Sequence, residues 1–218
     1  MALARGLPLI LALLLAGCGG GGDGDGEDQA AEPRQGTCLD VEAPDPRSEG
    51  SLAPPAESLD PAGAHRIRVE TSCGEFTITL DPEASPKATA SVAALAESGF
   101  YDGTTIHRIV PGFVIQGGDP TGTGGGGPGY ATVDPPPAGT AYTRGIVAMA
   151  KTAADPPGTA GSQFFVVTAA DAGLPPDYAV IGSVTDGLDT VVRIEALGDP
   201  ATELPTRTVV IERMTREP

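Results

Sequence analysis

The sequence predicts a mainly β protein, a closed β-barrel whose ends are capped by two α-helices. Short runs in which apolar and polar residues alternate with period 2 recur along residues 64–218, separated by loops rich in glycine and proline. Only two stretches have helical spacing, and no strand–helix–strand repeat of the kind that builds a parallel sheet is present. All nine Phe and Tyr residues lie between Phe76 and Tyr178, which confines the aromatic core to this part of the chain.

The predicted elements follow in chain order. Residues 67–70 and 76–80 form a hairpin, because both alternate and the turn residues Ser72-Cys73-Gly74-Glu75 separate them. An alanine-rich helix is predicted over 86–97, with Pro86 at its first position and Gly99 just beyond its end. Strands are then predicted at 105–110, 113–116, 145–149, 163–168 and 178–184, a second helix at 187–197, and a last strand at 207–213.

Composition excludes several classes of function. The chain has 13 Lys and Arg against 29 Asp and Glu, a net charge of −16, and so acidic a surface repels nucleic acid. The only histidines, His65 and His107, have no metal-ligand spacing to the cysteines, so no metal site is predicted. Gly122–Gly127 matches G-x-G-x-x-G, but Pro128-Gly129 follows where a helix should begin. The run is therefore interpreted as a flexible surface loop, and no cofactor is expected.

Residues 1–17 are predicted to be a lipoprotein signal peptide. Arg5 precedes an apolar run of about ten residues, which is shorter than the roughly 20 residues of a membrane-spanning helix. The run ends in Leu15-Ala16-Gly17-Cys18, which resembles the lipobox of bacterial lipoproteins. The resemblance implies an acylated Cys18 and an extracytoplasmic protein anchored to a cell membrane. A secreted protein without lipid is the alternative.

Residues 18–63 are predicted to be a solvated acidic tether, and residues 64–218 a single domain. From Gly19 to Gly63 the chain has eleven acidic residues, two basic residues, six prolines and no aromatic residue. Such a segment buries too little apolar surface to offset its ordering entropy. Because thiols oxidise outside the cytoplasm, Cys38 and Cys73 are expected to form a disulfide, with two free thiols as the alternative.

Three blocks of sequence carry a family resemblance. The first runs from Phe100 to Thr121 and contains Ile106-His107-Arg108-Ile109; the second covers 145–150 and 161–168; the third covers 174–182. Together they resemble the cyclophilin-type peptidyl-prolyl cis/trans isomerases. The resemblance spans roughly residues 64–215 and implies an eight-stranded barrel capped by two helices. It also implies an enzyme that accelerates rotation about X-Pro bonds and so assists the folding of secreted or envelope proteins.

The resemblance assigns catalysis to Arg108. Peptide bonds resist rotation by about 18–20 kcal/mol, and a guanidinium aimed at the prolyl nitrogen binds the twisted bond better than the planar one. No cofactor is needed. The implied site for proline-containing peptides is lined by His107, Phe113, Val114, Gln116, Ala150, Lys151, Gln163, Phe165, Leu174, Tyr178 and Ile181. Phe164 is expected to pack in the core instead, and a surface salt bridge is the alternative role for Arg108.

Several positions depart from the family pattern. Gly173 stands where many members carry a tryptophan linked to cyclosporin binding, so weak drug affinity is expected, and Tyr178 replaces a common histidine. Ile181 replaces a common phenylalanine, which is expected to remove an aromatic wall from the pocket. These changes leave open a second function, a non-catalytic chaperone or scaffold that binds proline peptides. A monomer is expected in either case.

Overall fold

The structure, a computed structural model, describes residues 36–217. Its strands and helices are β1 (Arg66–Thr71), β2 (Gly74–Leu80), α1 (Pro86–Glu97), β3 (Thr104–Val110), β4 (Val114–Asp119), β5 (Thr132–Val133), β6 (Ile146–Met149), β7 (Thr159–Ala160), β8 (Phe164–Val167), β9 (Val180–Asp186), α2 (Leu188–Glu195) and β10 (Val210–Glu217). The elements expected from the sequence are all present, with ends that differ by a few residues. The strands β5 and β7 were not expected, because two residues are too few to show alternation.

Eight of these strands close into a barrel, in the order β1-β10-β3-β4-β8-β6-β9-β2, and β5 and β7 pair separately. Every neighbouring pair in the barrel is antiparallel. The predicted closed, eight-stranded antiparallel barrel with two helices is therefore confirmed. Closure pairs every strand on both sides, so no edge strand of the barrel is exposed to further pairing.

Helix α1 receives its N-terminal cap from a distant loop. Ser85 precedes the helix but makes no side-chain cap. The carboxylate of Asp134 instead accepts the backbone N–H groups of Lys87 and Ala88, at 2.9 and 2.7 Å. A carboxylate at a helix N-terminus satisfies otherwise unpaired donors and complements the helix dipole. The loop before β6 and the helix are thereby tied together.

Alternation along the strands separates two apolar clusters. In β8, Phe164 and Val166 face the barrel interior, whereas Phe165 and Val167 belong to a second cluster on the outer face. The expectation that Phe164 packs in the core is confirmed. Because successive strand residues point to opposite faces, side chains from β4, β6, β8 and β9 contribute to the outer cluster.

Residues 36–63, here called the strap, lie along the barrel and its loops without forming a helix or strand. The strap N–H groups of Leu39, Arg47, Gly50 and Leu52 donate to the carbonyl oxygens of Ser72, Pro120, Gly127 and Pro128 at 2.8–2.9 Å. A disulfide joins Cys38 to Cys73, as predicted. The strap is therefore not the freely solvated tether that its composition predicts. Backbone hydrogen bonds and the disulfide order it, and its own apolar burial contributes little.

The predicted signal peptide, 1–17, and the predicted lipidation site, Cys18, lie outside the described residues. Within residues 36–217, no helix is long and apolar enough to cross a membrane.

Candidate active site

A cavity of about 160 Å³ opens on the outer face of the barrel, above the second apolar cluster. Its lining residues are Arg108, Phe113, Val114, Gln116, Ala150, Lys151, Phe165, Leu174 and Tyr178. All nine belong to the set predicted from the sequence. The cavity is apolar on one side and carries the Arg108 guanidinium and the Gln116 amide on the other.

Two aromatic rings form the apolar wall. Phe165 and Tyr178 meet edge to face, with ring centroids 5.4 Å apart. Behind them lies the fully buried Tyr142, whose hydroxyl donates to the Tyr178 carbonyl at 2.8 Å and accepts the Tyr178 N–H at 3.0 Å. Tyr142 thus positions the wall from beneath. It lies in an irregular loop, where no periodic pattern could mark it.

Phe113 reaches the cavity from a tight turn between β3 and β4. Gly112 in this turn has a φ of +74°, a conformation that favours glycine. Its N–H donates to Oε1 of Glu195 at 2.7 Å, which links the turn to the end of α2. Glu195 therefore helps to place Phe113, a role that the sequence did not indicate.

Arg108 lies on β3 with its guanidinium held from two sides. Nε donates to Oε2 of Glu203 at 2.8 Å, and Nη2 lies 2.7 Å from the same oxygen in an ion pair. On the other side, Nη1 donates to Oε1 of Gln116 at 3.4 Å. The guanidinium therefore makes the salt bridge considered as an alternative and also lines the cavity. Glu203, in the loop between α2 and β10, was missed because no motif surrounds it.

Gln116 and Gln163 connect Arg108 to the glycine-rich loop. Nε2 of Gln116 donates to Oε1 of Gln163 at 3.1 Å. Nε2 of Gln163 in turn donates to the carbonyl oxygens of Gly124 and Gly126, at 2.9 and 3.0 Å. Gln163 does not line the first cavity; it lines a neighbouring one of about 260 Å³. The two amides form a relay from the loop to the guanidinium.

The glycine-rich loop is held by the buried carboxylate of Asp119, contrary to its interpretation as flexible. The backbone N–H groups of Thr121 and Gly124 donate to this carboxylate at 2.7 and 2.5 Å, and so does the Thr121 hydroxyl at 2.8 Å. Burial alone would raise the pKa of Asp119, but hydrogen bonds from Thr121, Gly126 and Gly124 outweigh it and hold the pKa below its ordinary value.

Lys151 lies between the two cavities and lines both. Only 5% of its side chain is exposed. The ammonium donates to the carbonyl oxygens of Thr152 and Asp155 at 3.3 and 3.2 Å, and it lies 5.5 Å from the centre of the Tyr178 ring. Its charge is thus largely satisfied within the protein, and its stem forms the ridge between the cavities.

Two predicted binding residues do not line either cavity. Ile181 is fully buried in the barrel interior, and its neighbour Val180 lies in the outer cluster instead. The expected loss of an aromatic wall at Ile181 is therefore wrong, because a shift of one residue along a strand reverses the face. The ring nitrogens of His107 are shielded from solvent, and Nε2 faces the glycine-rich loop, 3.9 Å from where a Cβ on Gly124 would lie.

Burial lowers the pKa of His107; the opposing charge of Asp119 offsets part of this effect, and the charge of Arg108 adds to it.

Gly173 has a φ of +63° and open space around it, and it is absent from the cavity lining. Within residues 36–217, no group of His, Cys, Asp and Glu side chains is arranged to hold a metal ion.

The sequence profile of the family described as cyclophilin type peptidyl-prolyl cis-trans isomerase/CLD matches residues 66–216, nearly the whole barrel. The chain belongs to this family. Cyclophilins of this type are enzymes, so the chain is assigned to the peptidyl-prolyl cis-trans isomerases.

Individual relatives agree with this assignment. The chain is 47% identical over 112 residues to peptidyl-prolyl cis-trans isomerase B of Bacillus subtilis, covering 50% of this chain and 76% of that protein. It is 36% identical over 174 residues to peptidyl-prolyl cis-trans isomerase A of Mycobacterium tuberculosis, covering 71% of this chain and 93% of the relative. A cyclophilin type isomerase of Cryptosporidium parvum, solved in the presence of the dipeptide Ala-Pro, superposes with a TM-score of 0.65 at 33% identity. That match covers 70% of this chain and 99% of the other.

Proposed function

We propose that this cyclophilin catalyses X-Pro rotation in the cavity described above, with Arg108 stabilising the twisted transition state. The observation that carries the proposal is the position of Arg108. Its guanidinium lines an apolar cavity and is held on both sides, by Glu203 and by Gln116. The cavity has the lining expected for a proline ring, with Phe113 and Phe165 among its apolar side chains.

The chemistry follows from the electronic structure of the amide. In the planar bond the nitrogen lone pair is delocalised into the carbonyl, and twisting returns it to the nitrogen. A donor aimed at that nitrogen stabilises the twisted state selectively, which is the requirement for catalysis. Arg108 suits this role because guanidinium stays charged at working pH and presents a rigid array of donors. Gln116 borders the same cavity and can orient the neighbouring peptide backbone.

The proposed substrates are extended segments that contain proline. The Cryptosporidium parvum relative was solved in the presence of Ala-Pro, which supports a proline-containing peptide as the ligand class here. The second cavity, of about 260 Å³, borders the first at Gln116, Ala150 and Lys151. A peptide whose proline enters the first cavity can therefore extend a neighbouring residue toward the second.

Exchange spectroscopy by NMR on an Ala-Pro peptide tests the proposal. Uncatalysed exchange takes tens to hundreds of seconds, so acceleration is read directly from exchange peaks. We expect the parent protein to accelerate exchange and Arg108→Ala to lose most of this effect. Arg66→Ala, which removes an arginine at the start of β1 on the wall of a different groove, is the control and should retain parental exchange. An Arg108→Ala variant with parental exchange would refute the role of Arg108.

We also propose that the protein acts outside the cytoplasm as a membrane-anchored lipoprotein and assists folding there as a monomer. The support is the lipobox-like Leu15–Cys18 sequence, together with a Cys38–Cys73 disulfide of the kind that persists in oxidising compartments. Metabolic labelling with palmitate should label the parent protein, which should be found in the membrane fraction. The Cys18→Ser variant should carry no label and should be found in the soluble fraction. Label-free parent protein in the soluble fraction would contradict the lipid anchor, and size-exclusion chromatography of the released form tests the monomer.

The structure gives no specific support to a non-catalytic scaffold. That alternative depended on a weakened pocket at Ile181 and Gly173, and neither residue lines the cavity.

A further inference from the structure

Glu203 makes the most extensive contact with Arg108 of any side chain described. Its Oε2 accepts a hydrogen bond from Nε at 2.8 Å and lies 2.7 Å from Nη2 in the ion pair. This occupies the edge of the guanidinium that includes Nε, whereas Nη1 is directed toward Gln116. The two contacts fix the plane and the rotation of a side chain that is otherwise long and flexible.

The backbone at Glu203 adopts a conformation that side chains disfavour. Glu203 has a φ of +59°, and among residues 36–217 it is the only residue other than glycine with a positive φ. Its N–H donates to the Asp199 carbonyl at 2.8 Å, and its carbonyl accepts the N–H of Ile109 at 2.9 Å. Ile109 directly follows Arg108 on β3. Glu203 is thus attached to the Arg108 strand by its main chain as well as by its side chain.

A glycine, or to a lesser degree an asparagine, would relieve the strain at this position. Strained backbone persists where the surroundings over-determine it, and such positions concentrate at functional sites. The Glu203 side chain is 47% exposed and the Arg108 side chain 35% exposed. A pair this exposed contributes little to folding, so its consequence is expected in the geometry of Arg108.

We propose that Glu203 is a positioning residue for catalysis: it holds the guanidinium of Arg108 in the orientation that stabilises the twisted X-Pro bond. The proposal rests on the proposed role of Arg108. A free guanidinium samples many rotamers, and catalysis must then wait for the productive one. With this edge held by Glu203, Nη1 is directed toward Gln116, and both Arg108 and Gln116 line the cavity.

Two substitutions separate orientation from folding. Glu203→Gly removes the carboxylate and relieves the positive φ, so the variant should fold at least as well as the parent. Glu203→Gln keeps a neutral acceptor at the same length and should show a smaller effect. For Glu203→Gly we expect kcat to fall about three- to fivefold, the scale of an exposed ion pair, with KM unchanged. For Glu203→Gln the fall should be smaller.

The chain offers a matched control in the ion pair between Arg216 and Glu97. Nη1 of Arg216 lies 2.7 Å from Oε1 of Glu97, and the two side chains are 33% and 52% exposed. This pair has the same distance and nearly the same exposure as Arg108 with Glu203, but neither residue lines the cavity. Glu97→Gln removes the same charge, so it should leave kcat and KM at parental values.

The NMR signal of the Arg108 Nε–H reports whether the guanidinium has been released from Glu203. The readout that a purely structural role would not move is the fall in kcat at unchanged KM and without a lower melting temperature. In the parent the hydrogen bond to Glu203 should slow the exchange of the Nε–H with water, and in Glu203→Gly this protection should be lost. The melting temperature should stay at or above the parental value. Lost Nε–H protection together with the fall in kcat supports the proposal.

Contrary outcomes are separable. Parental kcat in Glu203→Gly, or a higher kcat, would overturn the positioning role; the second result would mean that Glu203 restrains Arg108. If Arg108→Ala is inactive while the Glu203 variants are parental, only the positioning role fails. If Arg108→Ala itself retains parental activity, the proposed mechanism fails and the positioning role fails with it.

Discussion

The amide of Gln163 can be perturbed with almost no change in shape by the substitution Gln163→Glu. In the parent, Nε2 donates to the carbonyl oxygens of Gly124 and Gly126, and Oε1 accepts from Gln116. A glutamate keeps the acceptor for Gln116 but replaces the donor with a second carboxylate oxygen. That oxygen would face two carbonyl oxygens at about 3 Å. The variant therefore removes the contact of Gln163 with the glycine-rich loop, which stays bonded to Asp119, and leaves the contact with Gln116 in place.

The size of the effect follows from the number of bonds lost. Two neutral hydrogen bonds contribute about 0.5–1.5 kcal/mol each, and the partly exposed carbonyl oxygens recover some of this by binding water. We expect the free-energy difference that favours the closed loop conformation over the open one to fall by about 1–2 kcal/mol. This lowers the ratio of the closed to the open population by about five- to thirtyfold. Since Arg108 keeps Glu203 as a partner, the loss should appear mainly as a higher KM.

Two measurements examine this expectation. Amide hydrogen exchange at Gly124 to Gly127 should accelerate in Gln163→Glu, and kcat/KM for a proline peptide should fall about fivefold or more. Gln163→Ala, which also frees Gln116, should lower kcat in addition to raising KM. The reasoning is refuted if Gln163→Glu retains both parental loop protection and parental kcat/KM.

Two further predictions concern the strap and His107. The Cys38–Cys73 disulfide closes a loop of 35 residues in sequence, so reduction should destabilise the fold by about 4 kcal/mol in the chain-entropy treatment and lower Tm by about 8–16 °C. Differential scanning calorimetry with and without dithiothreitol measures this change in Tm. As a control, the Tm of a Cys38→Ser, Cys73→Ala double variant should be the same with and without the reductant. A parental Tm that dithiothreitol does not change would show that the disulfide to the strap does not stabilise the fold. Burial lowers the pKa of His107, so the unfolded chain binds its proton more readily than the folded one does. The free energy of unfolding should therefore fall as pH drops below about 6.5 toward the folded pKa. Urea titrations at several pH values give the free energy of unfolding as a function of pH. This free energy should depend less steeply on pH in His107→Gln than in the parent, and an equal pH dependence would contradict the prediction.

The sequence indicated the cavity lining through the three blocks that resemble the family. Phe113, Gln116 and Phe165 on or beside strands, and Lys151 and Leu174 in loops, were assigned in this way, and all of them line the cavity. Strand alternation explains the error at Ile181. A displacement of one residue turns a strand side chain from the outer face to the interior. The sequence block that suggested Ile181 did not show which face of the strand its side chain takes.

The rest of the site depends on contacts between distant loops, which leave no local pattern. Glu203 contacts Arg108 across a separation of 95 residues, and Tyr142 contacts Tyr178 across 36. Asp134 caps α1 across a separation of 46 residues. Each comes from an irregular segment, in which neither period nor composition distinguishes a functional side chain from a solvated one.

The strap illustrates the limit of composition as evidence. Its few apolar residues correctly indicate that it cannot build a core. Its order comes from backbone hydrogen bonds to the loops at Pro120 and Gly127 and from the bond to Cys73. Backbone groups are common to every sequence, so such pairing cannot be inferred from residue types.

The central claim is that Arg108 lowers the barrier to X-Pro rotation, and the most direct test compares binding with exchange in Arg108→Lys. Lysine keeps the positive charge but lacks the rigid planar donors. For one Ala-Pro peptide, NMR gives both the dissociation constant from chemical-shift titration and the catalysed exchange rate at saturation. We expect Arg108→Lys to bind the peptide within about threefold of the parent and to lose at least about tenfold in exchange rate, a barrier change of about 1.4 kcal/mol. A saturated Arg108→Lys variant that exchanges the peptide at the parental rate would contradict the account.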